Sequence, residues 1–194
     1  EQKLLYKVMS IANKITIVEC PRDAMQGIVD FIPIHSKIDY INSLIKVGFD
    51  ILDFGSFVSP KSVPQMRNTD KVLRGLQPAE ETQLLAVLLN LKGAMQALSF
   101  DEISILGYPL SISEIFQQKN SNKDIISSIS VIDQIHNLCL QKNKKLLVYF
   151  SMAFGNPYEE YWDIDILIKY IDIIQEKGIA MISLADTIGN STPK

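Results

Sequence analysis

The sequence predicts an α/β fold built on parallel strands, and three observations carry that prediction. Apolar segments of strand-like period alternate with segments of helical period along the chain, the pattern of βα units joined by right-handed crossovers. The strand segments are apolar on both faces, as parallel strands covered on both sides are. Polar groups gather at the C-terminal ends of four of these strands, which is where a (β/α) barrel collects its reactive residues. No Gly-x-Gly-x-x-Gly follows the first strand, so a dinucleotide-binding sheet lacks its phosphate loop. A TIM-type (β/α) barrel is therefore the expected architecture.

Residues 15–19 (ITIVE) form a short β-branched run, the first strand. Over residues 36–47, Ile38, Ile41, Leu44 and Ile45 recur at helical spacing, and Gly48 supplies the stop. Residues 49–54 make the second strand. The continuous run LLAVLL over 84–89 is read as the third, although its Leu and Ala content also suits a helix, and a short helix follows over 91–98. Residues 102–106 make a fourth strand, ending at Gly107-Tyr108-Pro109. A long helix over 124–143 turns Ile125, Ile129, Ile132, Ile135 and Leu138/Cys139 inward. KLLVYFS, 145–151, is the fifth strand. A helix over 165–177 buries Leu167, Tyr170, Ile171 and Ile174 and closes at Gly178, and residues 180–185 are the sixth strand.

Six strands in 194 residues fall short of a closed barrel, which has eight strands and about 250 residues. An open six-stranded sheet would leave two exposed parallel edges. The expectation is a single partial barrel domain over residues 1–194, with about six of eight βα units and a C-terminal truncation.

Composition narrows the function. The chain is 47% hydrophobic and 21% charged, the balance of a globular protein. Its net charge of −3 lacks the basic footprint of a nucleic-acid binder. No basic cluster suits an anionic membrane, and no apolar run reaches the roughly 18 residues of a membrane span. Cys20 and Cys139 lie in apolar segments without metal or redox spacing, so both read as small buried hydrophobes in a reduced, cytosol-like compartment. His35 and His136 fit no ligand pattern, and His136 reads as a hydrogen-bonded packing residue. The aromatic cluster over 158–162 reads as a packed loop.

At the strand ends, the first strand leads to Arg22-Asp23 and the second carries Asp53 with Ser56 beyond it. The fifth ends in Tyr149 and Ser151, the sixth in Ser183 and Asp186. A charged pair directly after an apolar strand is costly unless it serves chemistry or pairing.

These residues stand in recognisable stretches: VECPRDAMQG (18–27), SFVSPKSVPQM (56–66), NLKG (90–93), FGNPYE (154–159) and SLADTIGNSTP (183–193). In that order they resemble the 3-hydroxy-3-methylglutaryl-CoA lyase family of the DRE-TIM metallolyase superfamily, and SFVSPKSVPQM is the most specific of them. The resemblance implies cleavage of hydroxymethylglutaryl-CoA to acetyl-CoA and acetoacetate, a step of leucine degradation, with a divalent cation, Mg²⁺ or Mn²⁺. It implies that Asp23 is a metal ligand and that Arg22 steadies the thioester oxygen as an enolate forms. By the same resemblance, Asp53 and Asp186 are catalytic positions, and Arg22, Ser56, Tyr149, Ser183 and Thr187 contact the substrate. The implied partner is a small acyl-CoA, with no nucleic acid and no membrane, in a homodimer of the bacterial cytoplasm or, alternatively, the mitochondrial matrix.

Two departures qualify the match: Ala24 replaces a usual glycine, and Asp53 a usual glutamate. The family's His-x-His pair, catalytic cysteine and metal-binding asparagine have no counterpart in these residues. One carboxylate holds a hard cation poorly, so the 194-residue chain alone is expected to be inactive and essentially metal-free. Two alternatives stand beside the lyase. One is a condensing enzyme of the same superfamily, resembling isopropylmalate, homocitrate or citramalate synthase; the other is a non-catalytic homologue.

Overall fold

Strands that are apolar on both faces must be covered on both, and the arrangement of this chain follows from that. A computed structural model describes residues 15–77 and 81–193. Its six strands are β1 (Val18–Glu19), β2 (Ile51–Ser56), β3 (Gln83–Val87), β4 (Ile103–Ser111), β5 (Lys145–Ser151) and β6 (Met181–Leu184). They run parallel in one sheet in chain order. The sheet curls into a partial TIM barrel. Helices α1 (Pro21–Gln26), α2 (Ile34–Val47), α3 (Thr69–Arg74), α4 (Leu91–Ala97), α5 (Glu114–Ser121), α6 (Ile125–Gln141) and α7 (Ile164–Glu176) connect the strands.

Alternation along each strand sorts the side chains into two cores. The larger lies between sheet and helices, where Leu52, Phe54, Leu106, Tyr108, Val148 and Phe150 meet Ile41, Ile132, Ile135 and Ile174. Each such side chain, fully removed from water, contributes about 1.5–3 kcal/mol before entropy is subtracted. The smaller core lies on the concave face: Ile51, Leu85, Val87, Ile105 and Leu147, with Tyr149 and Met181 against them. That inner layer is the packed interior that a barrel requires.

The second, third, fifth and sixth strands and the three longer predicted helices stand close to their expected positions. The first strand is shorter than 15–19, because among the described residues β1 pairs with β2 alone and Ile15 and Ile17 are left exposed. The fourth strand does not stop at Gly107-Tyr108-Pro109 but runs on to Ser111. The Gly107 carbonyl accepts from Leu88 N–H on the β3 side, and Pro109, two residues on, faces the same side. Pairing with β3 has ended there, so the missing proline N–H removes no ladder bond. On its other side β4 stays paired with β5, Pro109 opposite Tyr149. Helices α1, α3 and α5 were not expected; each has six to eight residues, too few for periodicity to declare itself.

Caps place the helix starts. Asn90 Oδ1 accepts from Gly93 N–H at 2.9 Å, Ser113 Oγ from Phe116 N–H at 3.1 Å, and Asp124 Oδ1 from Ser127 N–H at 2.6 Å. Gly48, at φ +84°, ends α2 in the left-handed conformation that costs glycine least. His136 packs on α6 with its Nδ1 lacking a partner among the described residues, contrary to the hydrogen-bonded expectation. Among the described residues no helix is long and apolar enough to cross a membrane.

Gly93 is where the fold is least forgiving. A Cβ there would stand 2.5 Å from the Phe57 carbonyl oxygen, a backbone atom that cannot swing aside. Gly93→Ala is expected to destabilise the protein by about 1–3 kcal/mol through overpacking. A urea melt would register this as a lower midpoint with unchanged slope; an unchanged midpoint would show that the 57–58 turn yields freely.

Candidate active site

Asp53 is wholly buried on the concave face of β2, two residues from Ile51 and beside an otherwise apolar layer. A lone carboxylate there would be several kcal/mol unfavourable. The sequence answers this by starting α1 directly after β1. Pro21 occupies the first helical turn, where its missing N–H is harmless, and Arg22 lies over the end of β2. Its Nε reaches Asp53 Oδ1 and Oδ2 at 3.2 and 3.1 Å, and its Nη2 reaches Oδ2 at 2.6 Å. Burial raises the Asp53 pKa above the ordinary carboxylate value, and Arg22 opposes that rise. Burial also works against the Arg22 charge, but Asp53, and more weakly Asp23, leave its pKa raised.

The outer edge of the guanidinium is equally committed. Arg22 Nη1 donates to Asp23 Oδ1 at 2.9 Å and to Gln26 Oε1 at 3.0 Å, and Gln26 Nε2 donates to the same Asp23 oxygen at 2.8 Å. The spacing Arg22, Asp23, Gln26 on one helical turn closes a three-membered ring of side chains. Asp23 Oδ2 accepts no hydrogen bond among the described residues, and its side chain is 63% exposed. Gln26 was not singled out from the sequence; its place four residues after Arg22 was the available signal.

Around this ring opens a cleft of about 580 Å³. Arg22, Asp23, Ser56, Tyr149, Ser183, Asp186 and Thr187 all line it, so the structure brings together seven of the eight residues picked from the sequence. Asp53 stands behind Arg22, outside the lining. Cys20 lines the cleft half-buried rather than buried in the core.

Two buried oxygens in the cleft have no hydrogen-bond partner among the described residues, Ser56 Oγ and Tyr149 Oη. An unpaired buried hydroxyl costs about 1–3 kcal/mol, so each is a place where a ligand atom would be favourable. Burial, with the Asp53 charge second, pushes the Tyr149 phenol well above its ordinary pKa. Tyr149 is therefore a neutral donor. Asp186 is engaged with its own loop: Oδ1 accepts from Asn190 N–H at 2.8 Å, and Oδ2 from Ser191 N–H and Oγ at 2.9 and 2.6 Å. The Ser191 hydroxyl and these amides hold its pKa below the ordinary value. Thr187 Oγ1 accepts from Met152 N–H at 2.8 Å, tying that loop to the end of β5.

The FGNPYE stretch lies outside the lining of the cleft and ties two of its loops together. Asn156 Oδ1 accepts from the Tyr158 and Glu160 amides at 3.0 and 3.3 Å, and the Glu160 carboxylate receives the Ser113 hydroxyl and the Ile115 N–H at the start of α5. This staple joins the loop after β5 to the loop after β4. Trp162 Nε1 donates to the Ala153 carbonyl at 3.2 Å, but Trp162 and Tyr161 are both exposed, so that aromatic cluster is only partly a packed loop, Tyr158 being half-buried.

A divalent cation finds an incomplete donor set here. Among the described residues no three His, Cys, Asp or Glu side chains converge, and Asp23 offers one free carboxylate oxygen. These residues do not by themselves make a cation site.

Comparison with known proteins places the chain in one family. Residues 14–194 match the HMGL-like family model. The chain is 32% identical over 188 residues to hydroxymethylglutaryl-CoA lyase YngG of Bacillus subtilis and 34% identical over 187 residues to the mitochondrial hydroxymethylglutaryl-CoA lyase of Homo sapiens. Those matches take in 95% of this chain and 62% and 57% of the two relatives, so it spans about three-fifths of their length. Among solved structures, the Bacillus HMG-CoA lyase superposes with a TM-score of 0.88 at 33% identity, covering 93% of this chain and 60% of that one. An HMG-CoA lyase from Acenitobacter baumannii, in complex with coenzyme A and 3-methylmalate, gives 0.86 at 29%, covering 92% and 59%.

Two outcomes follow from the geometry. Tyr149→Phe removes an unpartnered hydroxyl, so the protein without ligand is expected to keep its melting temperature or gain up to about 1 kcal/mol; a clear loss would mean the hydroxyl is paired. Burial, with Asp53 second, pushes the Cys20 thiol up from 9.0 to about 11. At pH 8 its thiolate fraction, and with it alkylation by iodoacetamide, should be ~100-fold below that of a thiol with an ordinary pKa. The rate should climb tenfold per pH unit until about pH 11; a plateau by pH 9 would contradict this.

Proposed function

The chain belongs to the HMGL-like family, and from that premise we propose that it serves the cleavage of 3-hydroxy-3-methylglutaryl-CoA to acetyl-CoA and acetoacetate in an intact protein whose further donors complete the cation site, these residues alone being inactive. The observation that carries the proposal is the Arg22 guanidinium, held on two sides by Asp53 and Asp23 at the mouth of the cleft. In the reaction the C3 hydroxyl gives up its proton, the C2–C3 bond breaks, and C3 becomes the ketone of acetoacetate. The electron pair of that bond passes to the acetyl-CoA fragment as an enolate, whose charge rests on the thioester oxygen until C2 is protonated. A fixed cation aimed at that oxygen lowers the barrier because it need not reorganise as charge develops.

Each remaining residue has a part its chemistry allows. Asp53 is a positioning residue: it fixes the plane of the guanidinium and keeps it charged. One N–H of Arg22 Nη2 is bonded to Asp53 and the other is taken by no contact among the described residues, so it is the group offered to the thioester oxygen. Ser56 and Tyr149 donate to substrate oxygens, and Ser183 borders the same space. Asp186, engaged with residues 190–191, holds Thr187 and its loop against the site. Asp23 keeps one oxygen free to receive a proton or to join a cation held by further donors; Mg²⁺ or Mn²⁺ suits an oxygen ligand, and no step is assigned to it here. Relatives from Bacillus and from mitochondria are both known, and the Lys- and Ile-rich composition favours the bacterial cytoplasm.

The condensing-enzyme reading predicts free CoA from acetyl-CoA plus a 2-oxo acid; the lyase reading predicts acetoacetate from hydroxymethylglutaryl-CoA. Assayed both ways with a divalent cation, the intact protein is expected to form acetoacetate only. Arg22→Gln should lower kcat by about 10²–10³-fold with a smaller effect on KM. Acetoacetate formation that survives Arg22→Gln at full rate would remove Arg22 from the chemistry.

A further inference from the structure

The 56–66 loop runs between the cleft and a second cavity of about 400 Å³. Ser56 and Val58 line both spaces, Val63 the cleft alone, and Met66 the second cavity alone. Gln65 lines neither and is buried, yet its amide is fully committed. Nε2 donates to the Ile28 and Asp30 carbonyls at 2.8 and 2.6 Å, and Oε1 accepts from Ile32 N–H at 3.2 Å. Among the described residues no other hydrogen bond joins 28–32 to any element but α1. One buried side chain thus holds an irregular segment in which Val29 is 97% exposed.

That segment is the C-terminal anchor of α1. Six residues are too few to stand as a helix by themselves, and the Cys20 N-cap makes no side-chain bond. On the N-terminal side the chain is pinned where β1 pairs with β2. On the other side it leaves through Gly27 into the residues that Gln65 grips. Arg22 and Asp23 ride on this helix, and Gln26, which braces them both, is its last residue. The grip itself is stiff. Buried Lys37 of α2 donates to the Gln65 carbonyl, and its Nζ lies 4.4 Å from the centre of the Phe31 ring. Arg67 Cζ lies 3.9 Å from the same ring centre. Among the described residues Lys37 has no carboxylate partner, so the carbonyl and the ring face take that place.

We propose that Gln65 is a positioning residue for the reaction: through residues 28–32 it fixes the end of α1, and with it the direction in which the Arg22 guanidinium meets the thioester oxygen. The inference rests on the lyase reading for the step it serves, and it places a determinant of rate outside the cleft. An amide suits the task because one group must satisfy two carbonyls and an N–H at once.

Gln65→Met removes all three bonds at nearly constant size, and Gln65→Glu keeps the shape and the acceptor for Ile32 N–H while losing the donors. In the intact protein each should lower kcat about 10–10²-fold, the scale of a displaced catalytic group, with a smaller effect on KM. Ile132→Val, a trim of the outer core, should lower the urea midpoint and leave kcat unchanged, which separates position from stability. Added to Arg22→Gln, Gln65→Met should lower kcat no further, since both act through one guanidinium; losses that multiply overturn the proposal. Without substrate, exchange of the Arg22 Nε–H with solvent, followed by NMR, should quicken several-fold in both Gln65 variants and not in Ile132→Val. Unchanged exchange overturns the proposal as well. Wild-type protein that makes no acetoacetate overturns the lyase reading instead, and the exchange measurement then still decides whether Gln65 fixes Arg22.

Discussion

The ion pair between Arg22 and Asp53 is the constraint from which the site follows. Asp53 sits wholly buried on the concave face of the sheet, where breaking a pair would leave a charge stranded at a penalty of about 3–5 kcal/mol. The pair is not there for stability, since two well-packed apolar side chains would serve at least as well. What it secures is geometry. A guanidinium gripped along one edge by Asp53 and at another by Asp23 and Gln26 has a fixed plane and position. The shortness of α1 and the break in register of β2 between Asp53 and Gly55 both belong to this arrangement.

The second constraint is close approach between loops at the same end of the sheet. Gln65, itself buried, donates to the Ile28 and Asp30 carbonyls at 2.8 and 2.6 Å and accepts from Ile32 N–H at 3.2 Å, so the 56–66 loop clamps the segment after α1. Buried Lys37 donates to the Gln65 carbonyl. A Cβ on Gly55 would come within 2.7 Å of the Thr69 methyl, so β2 and α3 also meet without a side chain between them. Much of SFVSPKSVPQM is therefore scaffolding: Gln65 and Met66 are buried, while Ser56 and Val58 face both cavities.

Most of the fold was legible because each strand and long helix carries a period strong enough to survive its surroundings. KLLVYFS matched β5 residue for residue, since a continuous apolar run between a charged turn and a loop leaves little choice. The short helices were not legible, as six residues of α1 show no period and α1 is held by Arg22 rather than by its own propensity. Pro109 misled for a specific reason: it forbids a ladder bond only where a neighbour would accept one, and the end of β3 pairing is a tertiary fact. The membership of the cleft was legible as residue types at strand ends. The division of labour within it was not, because only coordinates separate Asp53, which holds Arg22, from Tyr149, which is left without a partner.

That division has a physical logic. Along the arc from β1 to β6 every carboxylate near the cleft is engaged by donors of the protein itself: Asp53 with Arg22, Asp23 with Arg22 and Gln26, Asp186 with residues 190–191. The hydroxyls of Ser56 and Tyr149 are not. Each of these carboxylates is thus hydrogen-bonded within the protein, while neutral donors and one guanidinium N–H are left over among the described residues, donors that match a substrate rich in acceptor oxygens. Because Ser56 ends β2 and Tyr149 lies in β5, the distance between these donors is set by the curvature of the sheet. The curvature in turn is set by how Ile51, Leu85, Val87, Ile105 and Leu147 fill its concave face. Enlarging any of these inner side chains would move Tyr149 relative to Arg22 without touching either, so the inner core is a determinant of the site as well as of the fold.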